Sequence, residues 1–119
     1  MDYQDHFIGV PLPIAVGKKL TTTGATTVYT AIGGNMIEAV DWLHVANITG
    51  ATAKITIEWV DSSESTTFVV MKESTVPANT AVQFRLGFQL EASDVIQCTA
   101  DTANALDVIA QIVQMARSS

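Results

Sequence analysis

The sequence predicts an all-β protein, an antiparallel β-sandwich of jelly-roll type. Two observations predict it. Apolar and polar residues alternate with period two wherever the pattern is clear, and turn-forming residues such as Gly, Asn, Asp and Pro recur at short, regular spacing. The segments between these turns leave no room for a crossover helix, so we expect seven or eight strands in two packed sheets. A single-sheet barrel is the alternative architecture.

The first element is the run HFIGVPLPIAVG, residues 6–17, which is apolar, uncharged and interrupted by two prolines. It is too short to span a membrane and lacks the basic start of a secretory signal. Pro11 and Pro13 cannot donate ladder hydrogen bonds, so the run is an edge strand or a polyproline-like arm. We therefore divide the chain into an extended N-terminal arm, residues 1–17, and one sandwich domain, residues 18–119. The arm is covered either by its own sandwich or by a neighbouring subunit.

The next run, MIEAVDWLHVAN at residues 36–47, contains the one cluster with catalytic spacing. Glu38, Asp41 and His44 would line up on one face of a helix and suggest a metal or acid–base site. On a strand, Glu38 and His44 would share a face and Asp41 would point away. Residues 36–40 fit no period, whereas the second half favours a strand. The chain has two histidines, too few for a multi-histidine metal site, so we expect no metal or cofactor.

Three later runs alternate strictly and predict half-buried strands. They are ATAKITIEWVD (residues 51–61), TAVQFRLGFQL (80–90) and DVIQCTA (94–100). The inward rows they predict are Ala53, Ile55, Ile57 and Trp59; Val82, Phe84, Leu86, Phe88 and Leu90; and Ile96, Cys98 and Ala100.

Two runs carry apolar residues on both faces, TTFVVM (residues 66–71) and NALDVIAQIVQM (104–115). A helix is the rival interpretation of the second, but its β-branched residues and the turn-like DTAN before it favour a strand. The pattern indicates that both of its faces are covered.

Composition limits the function. A chain of 119 residues is the size of one domain, and its net charge of −6 argues against a surface that neutralises phosphate groups, so nucleic acid is excluded as a partner. Only 15% of residues are charged, which suits extensive protein contacts. Cys98 is the only cysteine and lies in a strand-like run, which indicates a buried thiol.

No catalytic motif is present: the sequence contains no GxSxG, no phosphate-binding glycine loop and no CxxC. A small metal enzyme of cupin-like architecture would depend on His44. Tyr29, Trp42 and Trp59 would form a sugar-binding platform if they were exposed together, but Trp59 is in phase with the apolar row of its strand and is expected in the core. We therefore expect a protein that is not an enzyme.

The series WLHVANITGATAKITIEWV, TVPANTAVQFRLGFQLEASDVIQCTA and NALDVIAQIV, within residues 28–113, resembles the small β-sandwich virion proteins of tailed bacteriophages, especially capsid decoration (cement) proteins. In this pattern Asn47 ends a strand, Pro77 fixes a turn and Asp94 caps the turn before the next strand. The resemblance implies a structural protein that binds the outside of the phage head as an oligomer, commonly a homotrimer, and stabilises it. A neck, tail or fibre-base protein that binds another virion subunit or a host glycan is the alternative.

Under this interpretation the partners are further copies of the chain and the major capsid protein or other virion subunits, with no membrane involved. The expected interface combines the even-numbered apolar stripe of the arm with one tryptophan. These residues are Ile8, Val10, Leu12, Ile14, Val16 and Trp42.

Overall fold

A computed structural model describes the backbone of residues 7–117 and the side chains of residues 11–116. This part of the chain forms eight β-strands and is elongated, 57 × 28 × 18 Å. No described segment is a helix long and apolar enough to cross a membrane. The strands are β1 (Phe7–Leu20), β2 (Thr26–Thr30), β3 (Met36–Asn47), β4 (Ala53–Asp61), β5 (Thr66–Val76), β6 (Ala81–Leu90), β7 (Val95–Ala100) and β8 (Leu106–Arg117).

The strands form two antiparallel sheets of four. Sheet A has the order β1-β8-β3-β6 and sheet B the order β2-β7-β4-β5. Consecutive strands alternate between the sheets, except for the hairpin of β4 and β5. This connectivity is that of a jelly roll, so the predicted fold class is confirmed.

The core lies between the two sheets and is built from their inward rows. The predicted alternation of β6 is confirmed, because its even-numbered residues are buried or half-buried and its odd-numbered residues are exposed. In β4, Ile55 and Ile57 are fully buried and Trp59 packs against the core from a half-buried position. In β7, Ile96, Cys98 and Ala100 are all buried. The period-two signal thus identified the inward faces of these three strands.

Strand β3 departs from the expected alternation, because a β-bulge interrupts its pairing between Val40 and Trp42. One extra residue inverts which face the following side chains occupy. Glu38 therefore points into the core at 1% exposure, whereas His44 points outward. The expectation that Glu38 and His44 share a face is wrong for this reason.

Residues 7–17 form most of β1, which continues to Leu20 and pairs antiparallel with β8, with a register shift between Ile8 and Leu12. β1 is an edge strand, one of the two forms that Pro11 and Pro13 allow. Ile14 and Val16 pack against the protein's own core. Residues 1–6 lie outside the described part of the chain.

The Asp94 carboxylate ties the loops together at one end of the sandwich. Asp94 is fully buried and accepts hydrogen bonds from the Trp59 indole N–H (3.1 Å), the Ser62 backbone N–H and hydroxyl (both 3.0 Å) and the Glu91 backbone N–H (3.0 Å). Its own carbonyl accepts from the Ala31 N–H at 2.8 Å. The predicted turn cap is confirmed and extends further than expected. We call this region, with loops 31–35, 62–65 and 91–94, the Asp94 end.

Asn47 performs the corresponding task at the opposite end. Its amide donates to the carbonyls of Ala51 (2.8 Å) and Val76 (2.9 Å), and its side-chain oxygen accepts from the Thr49 N–H (2.9 Å) and hydroxyl (2.8 Å). The Asn47 backbone N–H donates to the Thr80 carbonyl at 2.8 Å. One buried amide therefore connects the loops that follow β3 and β5.

Replacing Asp94 by Ala should destabilise the protein by about 2–4 kcal/mol at neutral pH, because the buried donors of Trp59, Ser62 and Glu91 lose their acceptor. Urea unfolding followed by far-UV circular dichroism measures the difference, and Glu64→Ala in the adjacent exposed loop is the control. Equal stability of the two variants would contradict this account.

The stability difference between wild type and Asp94→Ala should also depend on pH. Burial alone would raise the pKa of Asp94, but hydrogen bonds from Glu91, Ser62 and Trp59 outweigh it and hold the pKa below its ordinary value of 3.8. A lowered folded-state pKa contributes stability above the unfolded pKa and loses it as pH falls through the folded pKa. The stability difference between wild type and Asp94→Ala should therefore be constant above about pH 5 and shrink below about pH 4.

Candidate functional site

The outer face of sheet A carries a cluster of apolar side chains that no other described residue of the chain covers. It is formed by strands β1, β8 and β3, and all its members are half-buried or exposed. We call it the outer-face cluster, and it consists of Pro13, Ile37, Ala39, Trp42, Val113 and Met115.

The strand register brings these residues together. Ile37 lies opposite Met115, and Ala39 lies opposite Val113, which in turn lies opposite Pro13 on β1. Each alternates with a side chain that points into the core, as Val113 does with Ile112, which is fully buried. The cluster therefore spans the three adjacent strands on the side of sheet A away from the core.

Trp42 reaches this face because of the bulge in β3. It lies opposite Gln111 of β8 and Arg85 of β6, next to Asp41. Arg85 and Asp41 form an ion pair at 3.9 Å, but their side chains are 83% and 40% exposed, so the pair adds little stability. Its effect is to leave the edge of the cluster without net charge.

Further along the same face the surface becomes a shallow cleft between β1 and β8. Gly17 has no side chain, and it leaves Ile109 on the opposing strand 40% exposed. Lys19 and Asp107 close this end with an exposed ion pair at 3.1 Å. His44 and Gln111 lie between the outer-face cluster and this cleft, and the two exposed ion pairs of the face are each internally neutral.

The outer face of sheet B has a different composition. Its strands β4 and β7 present polar and charged side chains outward, and the Gln97 amide donates to the Glu58 carboxylate at 2.8 Å. Such a face is the usual solvated side of an antiparallel sheet. The outward residues are Lys54, Thr56, Glu58, Gln97 and Thr99, together with one apolar cross-strand pair, Val60 and Val95, at the Asp94 end. The contrast identifies the outer face of sheet A as the candidate contact surface.

The predicted interface residues divide between the two sides of sheet A. Trp42 is half-buried on the outer face, whereas Leu12 belongs to the same row of β1 as Ile14, opposite the buried Gln114, and is 56% exposed. Ile14 and Val16 lie on the inner side, against the core. The side chains of Ile8 and Val10 lie outside the described residues.

Sequence reasoning left Val113, Met115 and Ile37 out of the interface. The signal was present in β8, whose run carries apolar residues on both faces. Its inward row contains Val108, Ala110 and Ile112, so its second apolar row has no place in the core.

Residues 36–47 form a strand, so the cluster that Glu38, Asp41 and His44 would make on a helix does not form. Glu38 is buried and accepts hydrogen bonds from the Tyr29 hydroxyl, the Ile32 N–H (2.8 Å), the Gly33 N–H (2.9 Å) and the Gln114 amide (3.1 Å). Burial alone would raise the pKa of Glu38, but these bonds outweigh it and hold the pKa below its ordinary value. The carboxylate is therefore fully used in anchoring loop 31–35 to β2 and β8.

A second acidic group lies at the Asp94 end, where oxygens of Asp61, Glu91 and Asp94 all come within 4.8 Å of one another. The Asp94 oxygens hold the loops, and Asp61 accepts from the Ser63 N–H (3.2 Å) and hydroxyl (2.8 Å). Every buried polar side-chain atom in the described part of the chain has a hydrogen-bond partner. The carboxylates of Asp61 and Asp94 therefore serve as hydrogen-bond acceptors for the turns.

The three residues of the possible sugar platform are separated. Tyr29 is buried. This burial, together with the hydrogen bond to Glu38, raises the pKa of the Tyr29 hydroxyl to about 12. Trp59 stacks on Phe68 with ring centroids 5.3 Å apart and contacts Phe88 at 5.5 Å, at the edge of the core. Trp42 lies on the outer face of sheet A. No shared aromatic surface exists among these three residues.

No protein-family model matches the chain, and no curated protein has a significantly similar sequence. Solved structures share the fold. A chain from the acid-stable capsid of Helicobacter pylori bacteriophage KHP30 matches with 10% identity and a TM-score of 0.55, covering 93% of this chain and 90% of that one. A subunit of the Bacillus endospore appendages, a family of disulfide-linked pili, matches with 15% identity and a TM-score of 0.53, covering 92% and 88%.

The T13 particle of infectious bursal disease virus gives a TM-score of 0.58 at 8% identity. The match covers 90% of this chain, which spans only 31% of the viral one. At these identities the likeness establishes the fold alone: the chain has the jelly roll found in viral capsid proteins and in one pilus family.

Cys98 should be unreactive in the folded protein. It is fully buried, and burial, with a smaller contribution from the charge of Glu58, raises the pKa of its thiol to about 12. We expect labelling by a thiol reagent at pH 8 only after denaturation. Thr99→Cys, which places a thiol on the outer face of the same strand, is the control and should label at once. Rapid labelling of native Cys98 would contradict the packing of β7.

Proposed function

We propose that the protein is a structural subunit of a bacteriophage virion, a decoration (cement) protein that binds the outside of the assembled head as an oligomer and stabilises it. The observation that carries the proposal is the outer-face cluster, an apolar patch on sheet A beside the paired charges of Asp41 and Arg85. It gives the chain a surface suited to permanent contact with other virion subunits.

Surface chemistry supports this role. An apolar patch is normally kept small on a protein that acts alone, and a larger one marks a contact site. The outer-face cluster adjoins the Asp41–Arg85 ion pair, and the charges at the far end of the same face, Lys19 and Asp107, are also paired, so docking would not bury an unpaired charge of these residues. We infer that this face packs on the capsid shell or on neighbouring copies already attached to it.

Fold and size support it as well. The jelly roll recurs in viral capsid proteins, and the KHP30 chain matches over almost its whole length, which makes it similar in size to this one. A subunit of this size fits an accessory component of the head.

The structural similarity to an endospore appendage suggests a second candidate function, that of a pilus subunit. Those pili are linked by disulfides. The only cysteine of this sequence is Cys98, which is fully buried. Covalent linkage through it would require β7 to open, and this favours the virion role. The proposal assigns no catalysis, cofactor or metal to the chain.

The test is rebinding to phage heads from which the protein has been stripped, using the phage that carries its gene. Wild-type protein should bind the heads and raise their rupture temperature. Ile37→Lys and Val113→Lys should each weaken binding at least tenfold, because each introduces an unpaired charge into the apolar contact. Co-sedimentation measures binding, and circular dichroism checks that the variants are folded.

The matched control is Thr99→Lys, which adds the same charge to the outer face of sheet B and should bind like wild type. Binding to isolated tails but not to heads would replace the decoration role with a neck or tail role. Mass measurement on the bound protein then gives the oligomer number, for which the family resemblance implies three.

A further inference from the structure

His44 lies on the outer face of sheet A, between the outer-face cluster and the cleft beside Gly17. On β3 it is half-buried and points away from the core, directly opposite Gln83 of β6 and Ile109 of β8. Ile109 is 40% exposed, so the imidazole borders apolar surface that is open to solvent. A partner that covers both the cluster and the cleft must therefore cover His44 as well.

The charged groups that flank His44 on this face are paired with one another. On the β6 side Arg85 contacts Asp41 of β3 at 3.9 Å, and on the β8 side Asp107 contacts Lys19 of β1 at 3.1 Å. Among the described residues, no carboxylate forms an ion pair with the imidazole. A neutral imidazole therefore adds no charge to the face, whereas a protonated one adds a positive charge without a carboxylate of its own.

The two protonation states of His44 differ in what it costs to cover them. Histidine is the side chain whose charge ordinarily changes between pH 5 and 8. Burying an unpaired charge in an apolar contact costs far more than burying a neutral polar group that keeps a hydrogen bond. The face can therefore be covered at low cost only while the imidazole is neutral.

We propose that His44 makes docking through the outer face of sheet A dependent on pH: the face binds its partner while His44 is neutral and is released when the imidazole is protonated. The inference rests on the proposed function, because it takes this face as the docking surface. Docking then releases a proton, so affinity is high at pH 7.5 and falls as the pH decreases through the range in which histidine gains its charge.

The fold itself should not change over the same pH range. Although burial alone would raise the pKa of Glu38 and that of Asp94, hydrogen bonds hold both pKa values below their ordinary values of 4.5 and 3.8. Both carboxylates therefore stay charged at pH 5.5 and continue to anchor their loops. A loss of docking at this pH can be assigned to the face and not to unfolding.

Co-sedimentation with stripped phage heads at pH 7.5 and pH 5.5 tests the inference. Wild-type protein should bind about tenfold more weakly at pH 5.5, because roughly one imidazole in ten is then neutral. His44→Gln, which keeps a neutral hydrogen-bonding side chain, should bind equally well at both pH values. His44→Lys, which is charged throughout, should bind at least tenfold more weakly than wild type at pH 7.5. All variants meet the same heads, so titration of the heads cancels in the comparison.

The sequence has one other histidine, and His6→Gln is the matched control, which should keep the wild-type pH dependence. Circular dichroism at both pH values checks that each variant is folded. A pH dependence that persists in His44→Gln, or wild-type binding that is equally strong at both pH values, would overturn this inference and leave the proposed function intact. Wild-type protein that binds heads at neither pH would overturn the proposed function and this inference together.

Discussion

The buried Asp94 carboxylate is the interaction on which the architecture most depends. A jelly roll passes the chain repeatedly from one sheet to the other, and each passage leaves backbone groups without ladder partners. At one end of the sandwich a single carboxylate satisfies donors from β4, the following turn and the turn before β7. Asn47 has the same function at the other end, and Glu38 anchors the remaining loop. Since these polar groups are used at the ends and within the core, the outer faces of the sheets take no part in holding the loops.

The outer faces of sheet A and sheet B differ in their side-chain composition. The outer face of sheet B is mostly polar over β4 and β7, whereas that of sheet A carries the apolar outer-face cluster and two ion pairs. The bulge in β3 contributes directly, because it turns Trp42 outward while keeping Leu43 and Val45 in the core. Without the extra residue, β3 would present the opposite row to the surface over its second half.

Much of the fold could be predicted from the sequence, because one period governs most strands. The inward rows of β4, β6 and β7 and the turn cap at Asp94 were all accessible to that reasoning. The bulge could not be predicted, since a single inserted residue leaves no mark on composition yet places Glu38 and His44 on opposite faces.

The candidate contact surface could be predicted only in part from the sequence. Period two shows that a strand has an apolar row, but whether that row faces the core depends on which strands flank it. Ile14 and Val16 face the core, whereas Val113 belongs to a second row that the core does not use.

The position of β8 in sheet A has a consequence for the order of events during synthesis. β8 is the last of the eight strands in the chain, yet it lies between β1 and β3 and supplies the centre of the apolar outer face. Until β8 inserts, that face does not exist as a continuous surface, and β1 has no partner strand. A chain still emerging from the ribosome, or one that has stalled, therefore cannot present the complete outer face of sheet A. Under the proposed role, competence to assemble is a property of the finished fold, and incomplete subunits would be kept out of a growing structure.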